Sequence, residues 1–526
     1  MVDAREYHER TNHDPETVGD DRPPMDPDNR PRPYKLYEDR PRVDLPDPDP
    51  PAEPALSAIA TPSADPRESD GGGGSTPLDA GTLAALCHYA AGVTKELERR
   101  GEPMRFRAAS CTGKLYHVDL YAVTGDIEGF DAGPGVYHFD PNSGALDVLR
   151  EGDYRGVLAD ASGGHPGVEN APVTFVATSE WWRNAWKYTE RTYRHAFWDS
   201  GTVLANLLAV ARSAGLPAEV VLGFADHPVA DLLGVDPREE APLELVPVGG
   251  GAPASDPRPV ADADFETVPV SPDPIDYPLI ADAWAASALA DGDAAAAWRE
   301  RGAASADGAL GDPDSGDGEA VPLDPVDRET ASSRPLANTI ERRGSLREYA
   351  REPISARKFA TVLDRALGPV PVDALGGRTA AKSGDGGGHA GPYPLDCYCL
   401  VHAVEGVDPG AYRYRRGPAE LERVGDTDRT TAARLALGQS VVGDAAVNVY
   451  LLADVDALVD RFGDRGYRLA QLVGGVALGR LYLATYAHRT LGGRGFTFFD
   501  RAVTEHLSPA AAGLMPMTMF AFGRPE

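Results

Sequence analysis

Lys187 and Tyr188 stand side by side in the segment WKYTERTYR, and an altered copy of this segment, DRFGDRGYR, occurs far downstream. A lysine whose pKa is lowered by burial or by a nearby cation can act as a base, and a phenol beside it can relay or position the proton. The downstream copy has Arg461 and Phe462 at these places, and neither can take up a proton. Chemistry that depends on the pair is therefore predicted in the first copy only. The alternative is an exposed helix start without a catalytic role.

A second group of residues could bind a phosphate. Arg343, Ser345 and Arg347 in RRGSLREY offer a bidentate guanidinium, a hydroxyl and a second cation. This donor set matches the oxygens and the charge of a phosphate group. The alternative is that the motif caps a helix with solvated arginines.

Composition limits the class of protein. The 526 residues include 81 acidic and 51 basic side chains, which gives a formal net charge of −30. This acidity, with arginine strongly preferred over lysine, is typical of proteins from salt-loving organisms, where salt screens the self-repulsion. The sequence has no basic patch for nucleic acid, and its four cysteines lack zinc-type spacing, so we expect neither nucleic acid nor a metal. No apolar run is long enough for a membrane span, and we expect a cytoplasmic protein.

The sequence contains one region twice. Tyr116 and Asp119 match Tyr393 and Asp396 at one constant offset, and further matches continue along the chain with only small insertions or deletions. Two stretches rich in Pro, Asp, Gly and Ala separate the repeated regions from what precedes them. The predicted organisation is an N-terminal extension, a disordered linker, a first domain, an acidic linker with a possible helical arm, and a second domain, with bounds 1–38, 39–75, 76–250, 251–334 and 335–526.

Both domains have the same pattern of predicted elements. A helix over 78–97 or 355–366 precedes a polar loop and several strands, and a long helix over 193–215 or 467–490 precedes a final strand. This pattern predicts an α+β fold. Small residues on the long helices suit close packing against another helix, and we expect the two long helices to pack on each other.

Four motifs in order along the chain, YHERTNH, RAASCTGKLYHVDLY, KYTERTYR and RRGSLREY, carry a resemblance to a known family. They resemble motifs of the nitroreductase superfamily, and more narrowly of its SagB/ThcOx-type FMN-dependent dehydrogenases. The resemblance implies two fused nitroreductase-like domains, each a mixed or antiparallel sheet flanked by helices. Members of the family are dimers that hold FMN between two subunits, so the fused domains would form an intramolecular pseudo-dimer.

The resemblance also assigns residues to the cofactor. The arginine motif would bind the FMN phosphate, and Gly223 would bring its backbone close to the flavin ring, where the second domain has Thr497. A polar loop of the first domain would reach the flavin from the opposite side; its residues are Ser110, Cys111, Thr112 and Gly113. The second domain's version of this loop, GDGGGHAGPYP, lacks the serine, and the first domain lacks the arginine motif. We therefore expect one composite FMN site and a mirror-image site that has been lost.

Three functions remain open at this point. In the first, Lys187 and Tyr188 serve an FMN-dependent dehydrogenase that acts on an azoline-like or other small or peptide heterocycle, as the resemblance implies. In the second, NAD(P)H reduces the flavin and a nitro compound or quinone accepts the hydride, which needs no Lys-Tyr base. In the third, the chain is a flavin-binding or flavin-free scaffold for a partner enzyme.

Overall fold

The structure is a computed structural model that describes residues 2–18, 25–60, 77–99, 101–263, 265–303, 320–327, 333–375, 389 and 392–526. Its helices, in chain order, are α1 Ala4–Arg10, α2 Ala55–Ala58, α3 Ala80–Ala91, α4 Arg155–Ala161, α5 Pro166–Asn170, α6 Trp181–Tyr188, α7 Thr192–Ser213, α8 Asp226–Leu233, α9 Pro278–Ala286, α10 Gly292–Ala303, α11 Leu336–Arg342, α12 Ala356–Ala366, α13 Arg429–Leu435, α14 Ser440–Asp444, α15 Val455–Phe462, α16 Arg465–Ala487 and α17 Asp500–Leu507. None of these helices is long and apolar enough to cross a membrane, within the part of the chain that the structure describes.

The strands form two large antiparallel sheets. Their bounds are β1 Arg42–Asp44, β2 Val93–Arg99, β3 Glu102–Arg107, β4 Val118–Thr124, β5 Gly135–Asp140, β6 Ala145–Glu151, β7 Val173–Glu180, β8 Glu240–Val248, β9 Ala320–Pro322, β10 Asp396–Val401, β11 Gly410–Arg415, β12 Glu420–Gly425, β13 Val447–Ala453, β14 Gly492–Gly495 and β15 Met515–Gly523. The first sheet has the order β1-β6-β5-β4-β7-β8, the second has β9-β12-β11-β10-β13-β15-β14, and β2 and β3 form a separate hairpin. Apart from the extra edge strand β14, the two orders are the same, and the prediction of an α+β fold is confirmed.

The two long helices, α7 and α16, pack directly on each other between the sheets. A Cβ atom on Gly201 would lie 2.3 Å from the carbonyl carbon of Gly475, and a Cβ on Gly475 would lie 2.3 Å from the carbonyl oxygen of Phe197. Only glycine permits so close an approach of two helix backbones. The prediction that the long helices pack on each other through their small residues is confirmed.

Buried ion pairs cross between the halves of the chain in matching positions. Arg191 and Arg194 at the start of α7 bind Asp500 at the start of α17. Arg465 and Arg468 at the start of α16 bind Asp226 at the start of α8. The arginines of the repeated segment are therefore framework residues, and their charge is directed at carboxylates of the other half.

Helices α1 and α9 dock on these ion pairs in the same way. Arg194 Nε donates to Thr11 Oγ1 at 2.9 Å, and Arg468 Nε donates to Ser287 Oγ at 2.7 Å. Likewise, Asp500 accepts from the amide of His13 at 2.8 Å, and Asp226 accepts from the amide of Leu289 at 2.8 Å. The helical arm predicted within the acidic linker is thus the structural counterpart of the N-terminal extension.

Two predicted segments differ from the structure. The helix expected over 78–97 ends at Ala91, because Gly92 follows it and the β-branched Val93 and Thr94 begin the strand β2. The linker expected to be disordered over 39–75 is ordered in its described part: β1 pairs with β6 at the edge of the first sheet. This pairing uses backbone hydrogen bonds of polar residues, which leave no hydrophobic pattern in the sequence.

Candidate functional site

The site loop (residues 110–116) connects the hairpin β2–β3 to the central strand β4 and carries unusual backbone geometry. Gly113, Lys114 and Tyr116 have φ values of +65°, +62° and +49°. Left-handed geometry costs a residue other than glycine roughly 1–2 kcal/mol. Two such residues in one short loop need strong anchoring from their surroundings.

Asp199 on α7 supplies this anchoring. Its carboxylate accepts hydrogen bonds from the backbone amide and the hydroxyl of Thr112, each at 2.8 Å to its nearest oxygen, and from the thiol of Cys111 at 3.1 Å. His117 Nε2 lies 2.9 Å from the same carboxylate, and His117 Nδ1 lies 2.8 Å from Ser179 Oγ. A carboxylate can only accept, so His117 carries its hydrogen on Nε2. Burial, and then Asp199, raise the pKa of the Cys111 thiol well above its usual value.

Tyr188 lies against the site loop. A Cβ atom on Gly113 would lie only 2.9 Å from Tyr188 Oη, so the glycine gives the phenol its space. On the other side, the ring of His195 meets the Tyr188 ring edge-on, with centroids 4.6 Å apart. Lys187 Nζ lies 5.1 Å from the centroid of the same ring. Lys187 and Tyr188 are the last two residues of α6, and both are half-buried. The alternative prediction, an exposed helix start, does not describe this position.

His195 is a neutral imidazole in this cluster. Its pKa is held well below the usual range by burial, and next by the positive charge of Arg191. His195 Nδ1 lies 2.9 Å from Asn184 Oδ1, and the ring of Trp198 packs at 4.9 Å. With Tyr188, these residues form a contiguous side-chain cluster on α6 and α7.

Arg343 of the second half touches the first half directly before the site loop. Its Nε donates to the carbonyl of Ala108, and its Nη2 donates to the carbonyls of Arg107 and Ala109, each at 2.9 Å. Three of its five hydrogens are therefore engaged with backbone, and Nη1 keeps the remaining two. The arginine motif thus joins the two halves at the site loop, in addition to any role toward a ligand.

A pair of cations lies beside this contact. Ser345 and Arg347 are exposed, and Arg494 reaches the same place from β14 in a half-buried position. Burial, and then the charge of Arg347, lower the pKa of Arg494, while the nearby Tyr188 acts in the opposite direction. No described residue forms an ion pair with either guanidinium. Two adjacent cations without a carboxylate suit an anionic group such as a phosphate. We call this region, bounded by Gly113, Tyr188, Arg347 and Arg494, the first cleft.

Gly223 does not belong to the first cleft. A Cβ atom on Gly223 would lie 2.7 Å from Arg299 Cγ on α10 and 3.0 Å from Asp373 Oδ2. Its amide donates to Asp373 Oδ2 at 2.9 Å. Gly223 therefore faces α10 and Asp373 in this structure, and its contact with the flavin stays a prediction.

Several residues at the first cleft were not predicted from the sequence. The most informative are His117, Ser179, His195 and Asp199, whose counterparts at the repeat offset are Pro394, Ala453, Leu469 and Val473. At each of these positions the first copy has a polar residue and the second copy has an apolar residue. This difference is the signal from which the four residues could have been identified. Arg494 was also missed, because it stands outside the arginine motif. The second domain's version of the site loop lies, apart from His389 and residues from Pro392 onward, outside the described residues.

Comparison with known structures defines the class of the fold. A crystal structure of a protein from Anabaena variabilis, described provisionally as a nitroreductase, matches with a TM-score of 0.75 and 24% identity over 99% of both chains. The match includes both sheets, so the two-half architecture is that of a nitroreductase-fold chain. Residues 75–250 match the Nitroreductase family. The resemblance to the nitroreductase family is therefore confirmed over these residues, which contain two of the four motifs, RAASCTGKLYHVDLY and KYTERTYR.

Curated relatives also align with part of the chain. MJ1384 of Methanocaldococcus jannaschii, named provisionally as a nitroreductase, is 27% identical over 175 residues, which are 33% of this chain and 82% of that protein. The microcin B17-processing protein McbC of Escherichia coli is 30% identical over 136 residues, 25% of this chain and 49% of McbC. The trifolitoxin-processing protein TfxB of Rhizobium leguminosarum is 29% identical over 168 residues, 31% of this chain and 44% of TfxB. The matches thus span about half of McbC and of TfxB.

Proposed function

We propose that the chain is an FMN-dependent oxidoreductase with a single composite site in the first cleft. The observation that carries this proposal is the contact of Arg343 with the carbonyls of residues 107–109, which brings the arginine motif of one half against the site loop of the other. Arg347, Arg494 and Ser345 would hold the phosphate, and Ser110, Cys111, Thr112 and Gly113 would face the flavin.

The residues of the first cleft fit this cofactor by their chemistry. Arg347 and Arg494 present positive charge that no described carboxylate neutralises, which is the requirement for a phosphate. Gly113 lets the loop backbone approach the Tyr188 ring closely, and the same glycine leaves the loop face without a side chain. Bound FMN would supply a group that accepts a hydride and returns it.

The second cleft, which contains Gly223, Arg461 and Phe462, is filled by α10. Trp298, which is 1% exposed, donates from Nε1 to the carbonyl of Phe462 at 2.9 Å and packs on its ring at 5.6 Å. Arg461, the counterpart of Lys187, donates to the carbonyl of Gly302 at 2.7 Å. A helix of the chain itself therefore covers the positions that match Tyr188, Lys187 and Thr497. This supports one cofactor per chain.

We propose further that the reaction is a dehydrogenation of the SagB/ThcOx type. The matches to McbC, named as a microcin B17-processing protein, and to TfxB, named as a trifolitoxin-processing protein, support a peptide heterocycle such as an azoline as substrate. Oxidising an azoline to an azole removes a hydride and a carbon-bound proton, so a base must take the proton. Lys187 would take it, and Tyr188, fixed between Gly113 and His195, would orient or relay it. We also propose that the protein is cytoplasmic.

The second candidate is an NAD(P)H-dependent nitro- or quinone-reductase, which the match to MJ1384 favours. In that case the substrate receives the hydride, and Lys187 would have no base role. Mixing NADPH with the flavin-loaded chain in a stopped-flow instrument separates the two candidates. Fast bleaching of the flavin absorbance favours the reductase, and slow bleaching favours the dehydrogenase.

The test of the cofactor assignment is the double variant Arg347→Gln/Arg494→Gln. We expect the wild-type chain, purified at high salt and supplied with FMN, to retain a flavin absorbance that the variant loses. Arg423→Gln is the control, because Arg423 is an exposed arginine that already pairs with Asp426. A double variant that keeps its flavin would overturn the assignment of these cations.

A further inference from the structure

We propose that Asp199 is the positioning residue of the site loop, and that the buried chain Ser179, His117 and Asp199 exists to hold that loop in its binding geometry. The part of this inference that concerns FMN rests on the function proposed above. The part that concerns the loop rests on the contacts alone, and it holds whatever the first cleft binds.

Several hydrogen bonds meet at the carboxylate of Asp199. Asp199 accepts from the amide and the hydroxyl of Thr112, from the thiol of Cys111, and from His117. The side chain of Asp199 is 6% exposed and that of His117 is fully buried, so these bonds face little competition from water. Each bond to the ionised carboxylate is also stronger than a neutral one.

The site loop that these bonds hold is strained. Lys114 and Tyr116 have left-handed backbones directly after the anchored pair Cys111 and Thr112. The amide of Tyr116 lies 2.9 Å from Cys111 Sγ, so the thiol links the anchored and the strained ends of the loop. Releasing Asp199 would free the loop to relax, and Gly113 would then leave its place against Tyr188.

The fold itself does not need the polar residues Ser179, His117 and Asp199. The counterparts of Ser179, His117 and Asp199 in the second half are Ala453, Pro394 and Val473, at matching places on β13, before β10 and on α16. The second sheet and its long helix form without the polar chain. A buried polar chain costs desolvation, and its confinement to the first cleft ties it to the function of that cleft.

The same side chains also resemble a metal site and the triad of a Ser-His-Asp hydrolase. The ligand atoms of Cys111, His117 and Asp199 lie within 4.8 Å of one another, close enough for a metal ion. Cys111 and His117 each instead form a hydrogen bond with Asp199. A Ser-His-Asp hydrolase is excluded because the side chain of His117 and residue Ser179 are fully buried, so Ser179 cannot meet a substrate.

Cys111 offers a direct probe of the loop. It is half-buried, whereas the other three cysteines, Cys87, Cys397 and Cys399, are buried. Its thiol donates to Asp199, and the adjacent negative charge disfavours the reactive thiolate. Alkylation of Cys111 by iodoacetamide, followed by peptide mass spectrometry, therefore reports whether the loop is held.

The experiment compares Asp199→Asn with the wild-type full chain, first without added FMN. We expect Cys111 in the variant to be alkylated at least tenfold faster. Asp147→Asn is the matched control, because Asp147 is also a buried aspartate that binds a buried histidine, His138 at 3.1 Å, and its side chain bonds to His138 and Arg42 instead of to the loop. It should leave the Cys111 rate unchanged. If Asp199→Asn does not fold, Thr112→Val removes one of the bonds with little change of shape and should give a smaller increase.

Titration with FMN forms the second arm. The dissociation constant for FMN should rise at least tenfold in Asp199→Asn and stay unchanged in Asp147→Asn. A folded Asp199→Asn variant with the wild-type alkylation rate would overturn the inference. So would a wild-type rate that rises to the variant's after EDTA treatment, since that result would show a metal ion holding the loop. Wild-type protein that binds no FMN would sink the proposed function but leave the alkylation result in force.

Discussion

Arg194 of the first half donates from Nη1 to Asp500 Oδ1 of the second half at 2.7 Å, and neither side chain is more than 1% exposed. Its counterpart Arg468 donates from Nη1 to Asp226 Oδ1 at 2.6 Å in the opposite direction. The two halves are therefore locked by a reciprocal pair of buried ionic contacts. Each contact is completed by a docked helix, α1 on one side and α9 on the other.

Removing one carboxylate of these contacts should destabilise the whole chain. Asp500→Asn leaves Arg191 and Arg194 buried without their counter-charge, and we expect a loss of about 3–5 kcal/mol in the free energy of unfolding. Urea denaturation at constant salt measures the loss. Asp460→Asn is the control, because Asp460 pairs with Arg5 while its own side chain is 77% exposed, and it should cost little. Equal stability of Asp500→Asn and wild type would contradict the framework role.

The pH dependence of stability should contain a contribution from Glu244. Burial raises the pKa of this carboxyl to about 8, although the hydrogen bond from Ser200 and the charge of Arg468 partly offset it. At a pH between the ordinary pKa of a glutamate and about 8, Glu244 is protonated in the folded state and ionised in the unfolded state. Stability from this group is fully present at low pH and is lost as pH rises toward 8.

The variant Glu244→Gln isolates this contribution. The free energy of unfolding of the wild type should fall relative to that of the variant by up to about 1.4 kcal/mol per pH unit between pH 5 and pH 8. Urea melts at several pH values in matched salt give the difference. Parallel curves for the two proteins would show that Glu244 does not titrate as its burial implies.

Loss of the lysine should remove turnover without removing the cofactor. Lys187→Ala should lower kcat for dehydrogenation by about 10²-fold or more, the usual contribution of a general base, while the flavin absorbance stays. Arg461→Ala changes the counterpart in the second cleft and should leave kcat unchanged. Steady-state assays with an azoline peptide measure both. A Lys187→Ala enzyme with full turnover would remove the base assignment.

Replacing His195 by the leucine of its counterpart should loosen Tyr188. The edge-on contact at 4.6 Å would be lost, while the helix interface between α7 and α16 should persist, since Leu469 occupies the same place in α16. We expect His195→Leu to bind FMN normally and to lose about tenfold in kcat with little change in KM. His195→Phe, which restores a ring, should recover part of the loss. Full activity in His195→Leu would indicate that Tyr188 needs no support from this side.

The sequence predicted the architecture well because repetition and small-residue patterns depend on local residue types. The small residues of α7 and α16 indicated that these two helices pack on each other. The helix over 78–97 was predicted too long, because its apolar residues continue past Gly92 into a strand. Strand β1 was missed because it pairs through backbone groups of polar residues.

The site was predicted less completely because each cleft takes residues from both halves. Gly223 and Thr497 occupy corresponding positions of the repeat, and only the three-dimensional arrangement can tell which of them faces which cleft. Asp199 and His117 lie far from each other in sequence, and neither was assigned a role, although His117 stands within the motif RAASCTGKLYHVDLY. Comparing the two copies residue by residue, with Val473 and Pro394 as counterparts, would have revealed them.

The most direct test of this account is the number of FMN molecules bound per chain. Flavin released from the saturated, desalted protein and quantified against its peptide concentration should give one FMN per chain, because Trp298 and α10 fill the second cleft. The Arg347→Gln/Arg494→Gln variant should give none under the same conditions. Two FMN per chain would contradict the filled second cleft, and none in the wild type at saturating FMN would contradict the composite site itself.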